Sequence, residues 1–235
     1  MVGKLWYLKK FDLFSVLSSD EVKRLAERTH METLVDEQSI FMPGQPAETV
    51  YILKKGRVRL SRNNKDGKRL TLALLEPGEI FGELSLEKDQ SHSTRAEAAE
   101  ESLICSVPKS DFREFLSEHP QLNLKITQFL GERRRHVEAR VENLIFKDAT
   151  GRLAYVLKDL FERHSTEKNE LSENEKSAGV IEFSHEELSH LAGLTRPTTT
   201  KLLNQFAEED LLDLDRKRIV LREPSRLEKL IDSTE

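Results

Sequence analysis

The sequence predicts an α+β chain in three consecutive parts: a β-sandwich or barrel, a long helix, and a winged helix-turn-helix. Three observations carry this. Glycines recur at 44, 56, 67, 78 and 82 with short apolar or alternating runs between them, the rhythm of an all-β domain. From Lys109 the apolar positions change to a period of about 3.6. Near the C-terminus, two short capped helices flank a glycine and a basic hairpin follows.

The first segment, Phe14 to His30, is predicted as a short amphipathic helix started at Ser18-Ser19-Asp20, with Val22, Leu25 and Ala26 at i, i+3, i+4 spacing. Strands follow at Val50 to Leu53, Val58 to Ser61, Leu70 to Leu75 and Ile80 to Phe81, and the strand region continues from Ser93 to Val107. Asp66-Gly67 is a hairpin turn signal, because a type I′ turn needs positive φ at both central positions. Beyond Lys109, Phe112, Phe115, Leu116, Leu122, Ile126, Phe129, Val137, Val141 and Leu144 form an apolar stripe broken once at Pro120. A helix from Leu122 to Phe146 is longer than a small domain covers alone. Its three- and four-residue spacing, flanked by Arg133, Arg134, Arg135, Glu138 and Glu142, predicts pairing with a second copy. Asp148 is a suitable N-cap for the next helix, Thr150 to His164, and Ser165 to Gly179 is a polar surface loop.

Ser184 and Glu187 form a capping box that starts a helix at His185, and Gly193 can adopt the left-handed conformation that ends it. Thr195 then caps a second helix from Arg196 to about Ala207, in which Pro197 is tolerable because a first-turn N–H has no partner. This helix buries Leu202, Leu203 and Phe206 and leaves Arg, Thr and Lys side chains open at its N-terminal end. Leu212 to Leu221 reads as a hairpin turned at Asp215 to Lys217, the wing. An ordinary helical hairpin explains the apolar positions but not the order of capped helix, glycine turn, Arg/Thr/Lys-bearing helix and basic hairpin.

Composition bounds the function. The chain has 37% apolar and 34% charged residues and no apolar run near the ~20 needed to cross a bilayer, so a soluble cytoplasmic protein with no membrane partner is expected. The single cysteine, Cys105, excludes an internal disulfide and the thiolate set of a structural zinc or an iron–sulfur cluster, and is read as apolar filler in a strand. Haem ligation by His30, His92, His119 or His136 stays open. Net charge is −5, and residues 151–235 hold 13 Lys and Arg against 18 Asp and Glu, so any positive surface there must be local. Arg196, Lys201, Arg216, Lys217 and Arg218 can make it. An enzyme is not expected: the chain has no Gly-rich phosphate loop, no metal-spaced His/Cys set and no G-x-S-x-G, and His185 and His190 are five apart on one helix, out of line for a shared metal.

Three stretches resemble the cyclic-AMP receptor protein/FNR family: Phe41-Met42-Pro43-Gly44 to Gly56 together with Phe81-Gly82-Glu83-Leu84-Ser85-Leu86; Asp148-Ala149-Thr150-Gly151-Arg152-Leu153; and Ser184 to Leu203. The resemblance covers nearly the whole chain. It implies a double-stranded β-helix (jelly-roll, cyclic-nucleotide-binding-like) effector domain over 1–119, a dimerisation helix over 120–147, and a winged helix-turn-helix DNA-binding domain over 148–235. The implied activity is transcription regulation by a homodimer on a palindromic double-stranded DNA site, with RNA polymerase as a further partner. Arg196 then corresponds to the residue that reads a guanine, to which a guanidinium can donate two hydrogen bonds. Pro197 stands where the family often has a cytosine-accepting Glu, so specificity at that base pair should differ. Lys201, Thr195, Thr198, Thr199 and Ser184 complete the DNA-contact candidates.

The implied effector pocket comprises Gly82, Glu83, Leu84, Ser85, His92, Ser93, Val137 and Glu138. It departs from the cyclic-nucleotide pattern. His92-Ser93-Thr94 stands where an Arg followed by Ser or Thr and Ala neutralises the cyclic phosphate, and a neutral imidazole is a poor substitute for a forked, permanent cation. Val137 and Glu138 replace the hydroxyls that would touch adenine. Three readings stay open for the barrel: a small-molecule effector of another kind, no effector, or cyclic AMP or cyclic GMP with altered contacts. A functional alternative is a cyclic-nucleotide-responsive module acting on a protein partner with a degenerate DNA domain.

Overall fold

The computed structural model describes residues 14–63, 69–82, 90–165, 179–215 and 217–232. The Asp66-Gly67 turn, most of the polar loop before Gly179, and Arg216 lie outside them. The chain divides into two compact units, Met1–Arg134 and Arg135–Glu235. The division falls inside the long helix, whereas the sequence placed the start of the C-terminal domain at 148.

In the first unit, α1 (Ser19–Glu27) starts at the expected place: Glu21 N–H donates to the Ser18 hydroxyl at 3.3 Å and Ser18 N–H donates to the Glu21 carboxylate at 2.7 Å. Among the described residues eight strands follow: β1 (His30–Leu34), β2 (Ser39–Phe41), β3 (Thr49–Lys55), β4 (Val58–Asn63), β5 (Arg69–Leu75), β6 (Ile80–Gly82), β7 (Arg95–Ala98) and β8 (Ser102–Pro108). They form two antiparallel four-stranded sheets, ordered β1-β8-β3-β6 and β2-β7-β4-β5.

Strict alternation explains how two cores arise from one sheet. Leu53 and Ile104, with Phe81 of the same sheet, point into a core shared with Phe41, Val58, Leu60, Leu75, Ala96 and Ala98 of the facing strands. Their neighbours Val50, Ile52, Cys105 and Val107 point the other way, onto Val22 and Leu25 of α1, Phe112 and Phe115 of α2 (Lys109–Glu118), and Leu122 and Ile126 at the start of α3 (Pro120–Phe146). Cys105 is fully buried there, a small apolar filler as read from sequence. The turn from β3 to β4 needs Gly56. Its φ is +79°, and a Cβ there would lie 2.7 Å from the Ser102 Cα, a clash no rotamer relieves.

The outer face of the second sheet carries an ion cluster. Glu97 is only 2% exposed and is compensated by Arg59 (3.2 Å), Arg69 (2.6 Å) and Arg95 (2.8 Å). A carboxylate so deeply covered persists only when paired.

The second unit contains the rest of α3, then α4 (Ala149–Ser165), β9 (Val180–Glu182), α5 (His185–Ala192), α6 (Arg196–Glu208), β10 (Leu212–Asp215), β11 (Arg218–Leu221) and α7 (Pro224–Asp232). Asp148 caps α4 by accepting the Gly151 N–H at 2.8 Å. The expected hairpin is present, and β9 adds to it, giving the sheet order β10-β11-β9. The core gathers Leu153, Leu157, Phe161, Ile181, Phe183, Leu188, Leu203, Phe206, Leu212, Ile219 and Leu227, each at most 2% exposed. The C-terminal half of α3 is tied to this unit: Arg140 donates to the His190 carbonyl at 2.7 Å and Lys147 to that of Ile231 at 2.6 Å. No described helix is long and apolar enough to cross a membrane.

Candidate functional site

Helices α5 and α6 are set by local hydrogen bonds that their sequences dictate. The Glu187 N–H donates to the Ser184 hydroxyl at 3.2 Å, and the Glu187 carboxylate accepts the Ser184 N–H at 2.7 Å and its hydroxyl at 2.6 Å. Gly193 closes α5 at φ +63°, and its own N–H donates to the Ser189 carbonyl. A Cβ at 193 would lie 2.8 Å from Leu144 Cδ2. Thr195 caps α6 by accepting the Thr198 N–H at 3.3 Å, with Pro197 in the first turn.

This geometry sorts the candidate DNA contacts. Thr195, Arg196, Pro197 and Lys201 are exposed and Thr198 half-buried. Thr199 is a correction: it is fully buried, because positions 199, 202, 203 and 206 form the i, i+3, i+4, i+7 stripe that packs the helix. It serves the core and cannot touch a duplex. Ser184 is half-buried with its hydroxyl proton spent on Glu187, so its role is capping.

Three residues outside the DNA-contact candidates, Asn204, His185 and Thr200, join the face. Asn204 is exposed three residues after Lys201, a spacing that could have found it. His185 Nδ1 lies 2.9 Å from the Thr200 hydroxyl, linking the first turn of α5 to α6. Burial, and then the charge of Arg196, hold the His185 imidazole below its ordinary range. The fold thus favours the neutral ring. As pH falls through the ordinary histidine value near about 6.5, the unfolded chain takes up the proton first, and stability is lost until the folded value is passed. The melting temperature should therefore fall as pH is lowered through about 6.5, and His185→Gln should flatten that slope in a thermal denaturation series.

The charge problem posed by the acidic composition is solved locally. Arg222 is paired with Asp213, Arg226 with Glu209, Arg163 with Asp159, and Lys158 with Glu162 and Glu228. Among the described residues, Arg196 and Lys201 on α6 and Lys217 and Arg218 on the wing are exposed and bound to no carboxylate. Unneutralised cations therefore remain on the recognition helix and hairpin, where a polyanion would need them.

The effector candidates divide differently. Gly82 ends β6, half-buried, at φ +103°. Glu83, Leu84 and Ser85 lie outside the described residues. His92 is 6% exposed with its ring stacked on Phe41, centroids 3.6 Å apart and planes within 8°, so its imidazole is core rather than an open ligand group. Ser93 is exposed and accepts from a residue missed in the sequence, Arg62: Nη2 to its hydroxyl at 3.0 Å and Nε to its carbonyl at 3.2 Å. Arg95 faces the opposite side, onto Glu97. Val137 and Glu138 are exposed on α3 and belong to the second unit. No group of His, Cys, Asp and Glu among the described residues could hold a metal ion.

Comparison with known proteins matches both units. The cyclic nucleotide-binding domain family matches residues 31–119, and the Crp-like helix-turn-helix domain family matches residues 151–230. The chain is 28% identical to the cyclic AMP receptor protein of Thermus thermophilus over 95% of this chain and 98% of that protein. It is 32% identical to the global nitrogen regulator of Synechocystis over 84% of this chain and 86% of that protein. Among solved structures, FixK2 from Bradyrhizobium japonicum superposes with a TM-score of 0.73 at 26% identity, covering 86% of this chain and 96% of that one.

Proposed function

Because the chain belongs to the CRP/FNR family of DNA-binding transcription regulators, we propose that it acts as a homodimer on a two-fold symmetric DNA site, under control of a small molecule held in the β-roll. The observation that carries the reading is the exposed face of α6: Arg196 and Lys201 free of carboxylates beside Pro197, on a helix whose opposite stripe is fully packed. Arg196 is positioned to take a guanine edge in each half-site, and Pro197, which has no side-chain acceptor, leaves the neighbouring base pair without a hydrogen-bonded reader. RNA polymerase is the partner through which a bound dimer would act.

The second copy is suggested by α3. Leu130, Val137, Val141 and Leu144 lie on one face at seven-, four- and three-residue intervals and are 38–55% exposed in the single chain. The effector is a separate matter. Similar relatives include several named for cyclic AMP, at 25–28% identity, and several named for nitrogen regulation, at 30–33% identity. The buried His92 leaves the segment before β7 without a cation of its own, so cyclic AMP in its usual mode is not favoured.

Selection of bound duplexes from a random pool tests the proposal. The enriched sequence should be an inverted repeat with half-sites about one helical turn, ~34 Å, apart, and binding should weaken steeply with salt. Enrichment of no sequence at low salt would overturn it and favour a module acting on a protein partner.

A further inference from the structure

The arginines on the sheet β2-β7-β4-β5 are not equivalent. Arg59, Arg69 and Arg95 converge on Glu97, and Arg57 pairs with Glu100 at 2.7 Å. Arg62 is on β4 with Arg59, but three residues on, and alternation turns it to the other face. The register fixes which face that is: Leu60, opposite Ala96 and Ala73, packs in the inner core, and Ser61, opposite Arg95, points outward, so Arg62 points inward. It remains exposed, which places it at an open end of the roll. Among the described residues it meets no carboxylate.

Its guanidinium is nonetheless held in place. Nε and Nη2 donate to the Ser93 carbonyl and hydroxyl, which fixes the plane of the fork and leaves Nη1 and the second Nη2 hydrogen uncommitted. Directly across the ladder from Arg62 is Leu70, 58% exposed. A fixed, unneutralised guanidinium beside an exposed apolar side chain is the pairing that recognises a small organic anion with an apolar body.

We infer that Arg62, held by Ser93 and flanked by Leu70, is the anion-recognising residue of the β-roll, and that the effector is a small carboxylate or phosphate with an apolar part. This rests on the β-roll being the effector domain, and it supplies from β4 the cation that His92, Ser93 and Thr94 do not. The carboxylate or phosphate takes the free edge of the fork, and the apolar part lies against Leu70.

The test uses the full-length protein and three probes sharing one apolar body: phenyl phosphate, 3-phenylpropionate and the neutral 3-phenyl-1-propanol. Titrations are followed by NMR of leucine methyl groups. At least one anion should shift the Leu70 methyls and bind about tenfold or more tightly than the alcohol, since a charge-assisted hydrogen bond is worth at least that factor. Whichever anion binds identifies the headgroup. Arg62→Gln should remove the anion's advantage, Arg62→Lys should restore part of it, and neither should change binding of the alcohol or of DNA by the effector-free protein. Equal anion affinity in wild type and Arg62→Gln, or no methyl shift with either anion, overturns the inference. Failure of the wild-type protein to select a DNA site would undo the regulator reading while leaving this site standing, so the two failures are distinguishable.

Discussion

Arg196→Ala is expected to abolish sequence selectivity while leaving nonspecific DNA binding nearly intact. The side chain is exposed at the first position of α6 and bonded to nothing that holds the fold, whose cap is Thr195 and whose buried stripe is Thr199, Leu202, Leu203 and Phe206. Its removal should therefore not unfold the domain. A bidentate arginine–guanine contact discriminates by about 1–3 kcal/mol. A homodimer makes it twice, so the preferred duplex should lose about 2–6 kcal/mol, roughly 30-fold to 10⁴-fold in Kd. A scrambled duplex should lose only the one phosphate-range charge per protomer. Fluorescence anisotropy on both duplexes at matched salt measures the difference. Lys201→Ala is the useful contrast, because a phosphate contact weakens both duplexes alike and lowers the salt slope by about one per protomer. If Arg196→Ala weakened the two duplexes equally, Arg196 would be a phosphate contact and the recognition register would be wrong.

What could be read from the sequence follows the range of the interactions involved. The capping boxes at Ser18 and Ser184, the left-handed Gly193 and the Thr195 cap each close within three or four residues, and each appears where local chemistry puts it. Strands β3 to β8 were legible because alternation and glycine turns are local too, whereas β1 and β2 were not placed individually. By contrast β9 is three residues long and exists because Val180, Ile181 and Glu182 find β11 nearly forty residues later. The helix α7 also went unread. The Glu97 cluster draws on residues 59, 69, 95 and 97, whose meeting depends on strand order and register. Arg62 was missed for the same reason: only the register shows that it reaches Ser93. Thr199 is a different failure. Its burial was implied by the same helical period that assigned Leu202, Leu203 and Phe206, and its hydroxyl masked its place in that stripe.

Val141→Asp is expected to convert the protein to a monomer that binds half-sites only. In one chain Val137, Val141 and Leu144 are 55%, 49% and 46% exposed, in a helix otherwise rich in charge, so a mutation there removes little from the fold of either unit. In a symmetric pair each substitution appears twice and faces its own image across the axis. Two carboxylates brought into an apolar seam cost several kcal/mol in lost hydration. Sedimentation should then report the 27.1 kDa of a single chain rather than twice that mass. The DNA consequence follows from effective concentration. Once one half-site is held, a linked second domain acts at about millimolar local concentration, so uncoupling the two should weaken binding to the full inverted repeat by roughly 100-fold or more. Binding to an isolated half-site should be unchanged, because Val141 is remote in sequence from the α6 face that reads it. Val137→Asp, one turn earlier on the same face, should behave alike. A Val141→Asp protein that still sediments at twice the chain mass and holds the full site would place the dimer interface on another surface.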